Sequence, residues 1–191
     1  MNDPIALLAR WIDDAGGRDC VEAVAMSLAT ADAARKPSSR IVLLRGLDSD
    51  GLRFFTSYSS RKGRELAENP FAAATFYWPK LTRQVRVEGS IAALSEGESD
   101  AYFQSRPRGH QLAAWASEQS EPIDSHEILE ERFAHFDQRF EGEDVPRPHS
   151  WGGYLLVPSR FEFWQGRPNR MHDRVQYARR NNNWEISLLQ P

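Results

Sequence analysis

Residues 40–56 read RIVLLRGLDSDGLRFFT. Two apolar runs, Arg40 to Leu47 and Leu52 to Thr56, flank Asp48-Ser49-Asp50-Gly51. That order predicts a strand, a tight turn and a returning strand, because Asp, Ser and Gly supply turn geometry. Upstream, Ala23 to Ala29 reads as another short strand. Asp3-Pro4 followed by Ile5, Leu8, Trp11, Ile12 and Ala15 reads as a capped helix stopped at Gly16-Gly17. Downstream, a short helix is expected from after Ser59-Ser60 to Asn69-Pro70. Phe71 to Trp78 reads as a strand, Pro79-Lys80 breaks it, and Arg83 to Leu94 follows with partial alternation. Ser95-Glu96-Gly97-Glu98 has capping-box spacing and opens a helix through about Gln104. Arg108 to Ser117 is expected to be helical. Another helix opens at Asp124 with Glu127, and its stripe of Leu129, Phe133, Phe136 and Phe140 reads as core or subunit packing. Beyond a polar loop over 141–149, the closing strands are Trp151 to Val157, Arg160 to Gln165, Val175 to Arg179 and Trp184 to Leu189. A hairpin turn is expected at Asn181-Asn182-Asn183. The expected fold is mainly β with flanking helices (α+β): a small antiparallel barrel with helices outside, in one domain over residues 1–191.

Composition narrows the function classes. Of 191 residues 40% are hydrophobic and 27% charged, as in an ordinary soluble globule. A net charge of -3 argues against a nucleic-acid binder, since such domains are usually basic. The single cysteine, Cys20, excludes a disulfide framework within the chain and a cysteine-rich metal site. No charged leader with an apolar run opens the sequence, so a cytoplasmic location is expected. His126-Glu127 begins like a zinc-protease helix, but Glu130 stands where the second histidine belongs, and no metal is expected. Neither a Gly-x-Gly-x-x-Gly fingerprint, a P-loop nor a nucleophile elbow is present. An enzyme with this sequence must therefore use a bound organic cofactor or an unusual site. Only three of the 24 basic residues are lysines (Lys36, Lys62 and Lys80), and arginine suits bidentate phosphate recognition. A genome rich in arginine codons is the better explanation for the bulk of that excess, so only arginines in specific contexts carry a functional reading.

Four segments can carry chemistry. Ser59-Ser60-Arg61-Lys62 sits at an expected helix start, where free N–H groups and the positive helix end favour an anion; a capped surface helix is the plain alternative. Arg40 and Arg45 bracket the strand Ile41-Val42-Leu43-Leu44, which can lie along a planar ring or simply be buried. Tyr102-Phe103-Gln104-Ser105-Arg106-Pro107-Arg108 is a rigid cationic corner or an exposed turn between helices. The densest group is Phe161-Glu162-Phe163-Trp164-Gln165-Gly166 with Arg170-Met171-His172-Asp173-Arg174. An extended chain would put Arg170, His172 and Arg174 on one face beside Trp164, which favours function over a solvated edge.

Taken in order, SRIVLLR, FFTSYSSRKGRELAENP, RQVRVEG, YFQSRPRGHQLAAWASEQS, WGGYLLVPSRFEFWQG and RMHDR resemble the pyridoxine/pyridoxamine 5'-phosphate oxidase family. The likeness runs from about Ala23 to Pro191. It implies an FMN-binding split β-barrel, a homodimer with FMN at the subunit interface, and oxidation of pyridoxine or pyridoxamine 5'-phosphate by O2, giving pyridoxal 5'-phosphate and H2O2. By position it implies FMN contacts from Arg40, Ile41, Val42, Leu43, Phe55, Thr56, Arg61, Lys62 and Gln84. Gln119, Ser120, Trp164 and Arg174 would complete that site, partly from the second subunit. Tyr102 and Arg106 would hold the substrate phosphate, with Arg45 and His110 nearby, and Arg170 and His172 would act over the substrate ring. The chain departs from the family where Arg45 replaces a usual lysine, His110 a small hydroxyl residue and Phe55 a tyrosine. It also lacks most of an N-terminal arm found in some members. A related FMN oxidase of another flat substrate, such as a phenazine precursor, and a non-catalytic flavin-binding protein are the alternatives.

Overall fold

The computed structural model describes residues 3–17, 22–181 and 183–191. Cys20 and the central Asn182 of the expected hairpin turn lie outside them. Helix α1 (Pro4–Gly16) begins where proline can sit without losing a hydrogen bond. The Asp3 carboxylate accepts from the Ile5 N–H at 2.9 Å. Leu8 and Ala15 are buried, and Trp11 meets Trp78 and Phe163 edge-on. The helix thereby packs on the core of the sheet.

The strands follow as β1 (Ala25–Ala31), β2 (Pro37–Leu43), β3 (Gly46–Asp48) and β4 (Gly51–Ser57). Helix α2 (Arg61–Glu68) precedes β5 (Phe71–Trp78) and β6 (Arg83–Ala93). Helices α3 (Glu96–Ser105), α4 (Arg108–Ala116) and α5 (His126–Arg139) come next, then β7 (Trp151–Gln165), β8 (Asp173–Arg180) and β9 (Asn183–Leu188). Every pairing is antiparallel, in the order β2-β1-β5-β6-β7-β4-β3, with β8 added on β7 and β9 on β8.

Two expected strand boundaries are corrected. The run from Arg40 to Leu47 is two strands, because the chain changes partner there. Leu44 N–H bonds Val24 O at 2.9 Å, and the next residue, Arg45, bonds Arg53 O at 2.8 Å. Conversely, the two closing strands around Pro158 are one, β7. Its first half pairs with β4 through Leu156 and its last six residues pair with β8, while β6 runs along the other edge. The fork falls at Pro158, which has no N–H to donate, and a bulge at Glu88/Gly89 absorbs the shift. Gly89 is required there, since a Cβ would stand 2.0 Å from Val157 O.

Alternation places Met26, Leu28, Ala74, Phe76, Val85, Val87, Phe161, Leu52 and Phe54 in one core. Each such large side chain contributes roughly 1.5–3 kcal/mol on burial. A second cluster holds Phe103, Leu112, Phe140, Val145 and Trp151, with Phe133 and Phe136 packed on it. The aromatic stripe of α5 is thus packing. Among the described residues, no helix is long and apolar enough to cross a membrane.

Candidate functional site

A cleft of about 970 Å³ opens between β2, β4, the start of α2, the α3–α4 corner and the loop after α4. The N-cap of α2 is Ser60, whose hydroxyl accepts from Gly63 N–H at 3.3 Å. That start turns Lys62 inward. Its ammonium donates to Gln119 Oε1 at 2.9 Å, Thr56 Oγ1 at 3.1 Å and Ser60 Oγ at 3.3 Å. Burial, together with the nearby Arg40 charge, pulls its pKa down to about 8 against the opposing pull of Glu65.

Glu65, one turn further along α2, is the anchor of the phosphate-sized corner. Ser38 donates to it at 2.7 Å, Arg61 Nε at 2.9 Å and Arg40 Nη2 at 3.2 Å, and Thr30 donates as well. Burial alone would raise the Glu65 pKa. The bonds from Ser38, Thr30, Arg61 and Arg40 outweigh it and hold the carboxyl at about 2. Three cations and one carboxylate leave this corner with a charge of about +2, the complement of a phosphomonoester dianion.

The opposite wall is aromatic. Phe55 and Tyr102 stack at 3.8 Å, and Trp151 lies parallel to both. The Arg106 guanidinium rests 4.5 Å from the Trp151 ring centre. Burial lowers the Arg106 pKa; Tyr102 raises it and Arg45 lowers it further. Among the described residues, Arg106 Nη1 is a buried donor without a hydrogen-bond partner, which calls for an acceptor from outside the chain. Arg45, His110 and Ser120 complete the lining. The cleft thus offers two separate cationic ends joined by the backbone of β2 and an aromatic wall. Cations of this kind suit phosphates, and an aromatic wall suits a planar ring.

Of the residues expected from sequence, Arg40, Ile41, Val42, Leu43, Arg45, Phe55, Thr56, Arg61, Lys62, Tyr102, Arg106, His110, Gln119 and Ser120 line this one cleft. Gln84, Trp164, Arg170, His172 and Arg174 do not. Gln84 faces Trp164 across β6 and β7, and Trp164 faces Arg174 across β7 and β8. They form a second group on the sheet. Buried Glu162 accepts from Arg174 Nε at 2.8 Å and from Arg86 at 3.2 Å, which fixes Arg174. The His172 ring lies 4.7 Å from that of Trp164. The extended chain expected over 170–174 is not found. Asn169 and Arg170 have φ of 57° and 62°, so Pro168–Arg170 is a tight turn and β8 starts at Asp173. His172 Nδ1 accepts from Arg167 N–H at 3.2 Å, which leaves the proton of the neutral ring on Nε2.

Glu65 and Trp151 were not singled out in the sequence. Glu65 had a signal, its i,i+4 spacing from Arg61 on an expected helix. Trp151 had none, because its role depends on packing between distant segments.

Comparison with known proteins gives the family. Residues 18–140 match the family "Pyridoxamine 5'-phosphate oxidase", and residues 151–191 match "Pyridoxine 5'-phosphate oxidase C-terminal dimerisation region". A protein of Rubrobacter xylanophilus named pyridoxine/pyridoxamine 5'-phosphate oxidase is 54% identical over 99% of this chain and 87% of its own length. One of Cupriavidus pinatubonensis with the same name is 51% identical, covering 99% of this chain and 89% of its own. The crystal structure of PhzG from Burkholderia lata, solved with tetrahydrophenazine-1-carboxylic acid, superposes with a TM-score of 0.95 at 34% identity, covering 100% of this chain and 94% of that one. An FMN-binding protein of Nostoc punctiforme (TM-score 0.78, 21% identity, covering 97% and 96% of the two chains) shares the fold. On the strength of its full-length identity to curated members, this chain belongs to the pyridoxamine 5'-phosphate oxidase family.

Proposed function

We propose that this chain is an FMN-dependent oxidase that converts pyridoxamine or pyridoxine 5'-phosphate to pyridoxal 5'-phosphate, with O2 as acceptor and H2O2 as second product, working as a homodimer. The observation that carries the reading is the pair of cationic ends in one cleft, one built on Arg40, Arg61 and Lys62 and the other on Arg106 with its unpartnered Nη1. Two phosphates, one on the flavin and one on the substrate, need two such ends.

Bound FMN would supply the acceptor for the substrate's hydride and the route of its electrons to O2. The protein's part is to bind, orient and balance charge. Arg40, Arg61 and Lys62 hold the flavin phosphate, and Thr56, Gln119 and Ser120 add polar contacts beside it. Ile41, Val42 and Leu43 lay strand backbone along the ring, and Phe55 walls it. Tyr102 and Arg106, with Arg45 and His110 nearby, hold the substrate phosphate. Gln84, Trp164 and Arg174, remote from the cleft of their own chain, complete the cleft of the other subunit. Arg170 and His172 come with them, and His172 Nε2 would serve to hold or release a proton over the substrate. Exchanging Arg170 for Leu is expected to cut turnover at least tenfold while FMN stays bound. Unchanged turnover removes Arg170 from the mechanism.

The direct test mixes the purified protein, loaded with FMN, with pyridoxamine 5'-phosphate under air and follows the absorbance of the aldehyde. A second reading, an FMN oxidase of another flat substrate, has the PhzG likeness in its favour. Flavin that bleaches anaerobically with pyridoxamine 5'-phosphate supports the first reading. Flavin reduced only by other donors supports the second.

A further inference from the structure

Two arginines of the cleft are held in opposite ways. Arg40 is tied to a carboxylate, Glu65. Arg106 has no carboxylate partner among the described residues; it is held by aromatic faces, Trp151 at 4.5 Å and Phe103 at 5.6 Å. The difference has a chemical consequence. A carboxylate would neutralise the guanidinium and occupy its donors, whereas a π face stabilises the cation and leaves its N–H groups for an incoming anion.

Trp151 is itself rigidly placed. Its N–H bonds Pro148 O at 3.0 Å, its carbonyl accepts from Arg147 Nη1 at 2.7 Å, and as the first residue of β7 it pairs with Ser57 of β4. Phe103 meets its ring edge-on at 5.3 Å, and the Phe55–Tyr102 stack lies parallel to it. The indole is therefore buried among packed rings on a fixed strand start.

We propose that Trp151 is a positioning residue for the substrate's anionic group: it presents the Arg106 guanidinium, charged and unpaired, to the phosphate of the substrate. This rests on the functional reading above. Trp151 does not touch the reacting carbon and acts through Arg106 alone.

The test uses the FMN-loaded enzyme, with inorganic phosphate as a competitive probe against pyridoxamine 5'-phosphate. Trp151→Leu is expected to raise both the phosphate inhibition constant and KM about tenfold, the size expected for a desolvated cation–π contact. The change should be carried by KM rather than kcat, and FMN content should stay stoichiometric. Trp151→Phe keeps a smaller ring and should recover most of the loss; should the Leu variant fail to fold, the Phe variant is expected to show a two- to threefold rise. Arg106→Lys keeps the charge without the planar stack, so adding Trp151→Phe to it should cost nothing more. An inhibition constant unmoved by these changes, or full additivity with Arg106→Lys, overturns the proposal while leaving the oxidase reading intact. A wild-type enzyme that neither oxidises pyridoxamine 5'-phosphate nor responds to inorganic phosphate overturns both.

Discussion

Glu65 and Lys62 show how a few buried charges set the behaviour of the phosphate corner. The folded pKa of Glu65, about 2, lies below its ordinary value of 4.5. Its contribution to stability is therefore complete above about pH 4.5 and is lost as pH falls through about 2, amounting to on the order of 3 kcal/mol. Glu65→Gln should lower the urea midpoint at pH 7, and the gap to wild type should narrow steadily below pH 4.5. A gap of constant size down to pH 3 would show that the carboxylate's charge is not what matters. Lys62 shifts in the same direction, with the opposite effect on its charge. Its folded pKa of about 8 is below the ordinary 10.5, because burial and Arg40 disfavour the ammonium. A phosphate binds the protonated form, so FMN affinity should be flat to about pH 8 and then fall by up to tenfold per pH unit. Flavin fluorescence titrations from pH 6.5 to 9.5 measure it, and Lys62→Gln should remove the alkaline fall. An alkaline fall that persists in this variant would assign the titration to another group.

At the scale of the element, what the sequence made legible was whatever depends on neighbours a few residues away. Asp3-Pro4 and the Ser95/Glu98 box are local devices, and both caps form as expected. The ends of β2 and the continuity of β7 are not local. They depend on which strand lies alongside, and neither Leu44 nor Pro158 announces a change of partner or a bulge on the opposite strand. Helix α2 joins the two kinds of information. Its cap is readable at Ser60, but its seat is not: a Cβ on Gly63 would stand 2.2 Å from Tyr58 O, so the helix approaches the preceding turn closely. Gly63→Ala must push the first turn of α2 outward, and Arg61 and Lys62 with it. Melting temperature should fall by roughly 5 °C or more, with weaker retention of FMN on a desalting column. Gly97→Ala makes the control, because nothing lies within 4 Å of a Cβ there and alanine favours α3. If both alanines behave alike, close packing under α2 is not the cause.

At the scale of the molecule, the site was legible as a set of residues but not as a place. The motifs named the residues, yet a linear reading cannot tell that fourteen of them share one cleft while Gln84, Trp164, Arg170, His172 and Arg174 stand apart. The separation has a geometric origin. Ile41, Ser27, Thr75, Arg86, Glu162 and Gln176 follow one another across six strands, and Tyr77, the partner of Gln84, is 59% exposed. Ile41, Met171 and Leu188 are exposed too, Leu188 at 81%. Met171 and Leu188 fall, with β7 to β9, in the segment that matches a dimerisation region. In the homodimer proposed here, covering that face and completing the cleft are a single event. Leu188→Asp tests the connection without disturbing the core, since the side chain is exposed in the chain alone. Size-exclusion chromatography should show a shift from dimer to monomer, and the monomer fraction should lose its flavin absorbance in parallel, while circular dichroism stays that of the wild type. A monomer that keeps one FMN per chain would mean that each chain builds a whole site by itself, and the second group on the sheet would then need another purpose.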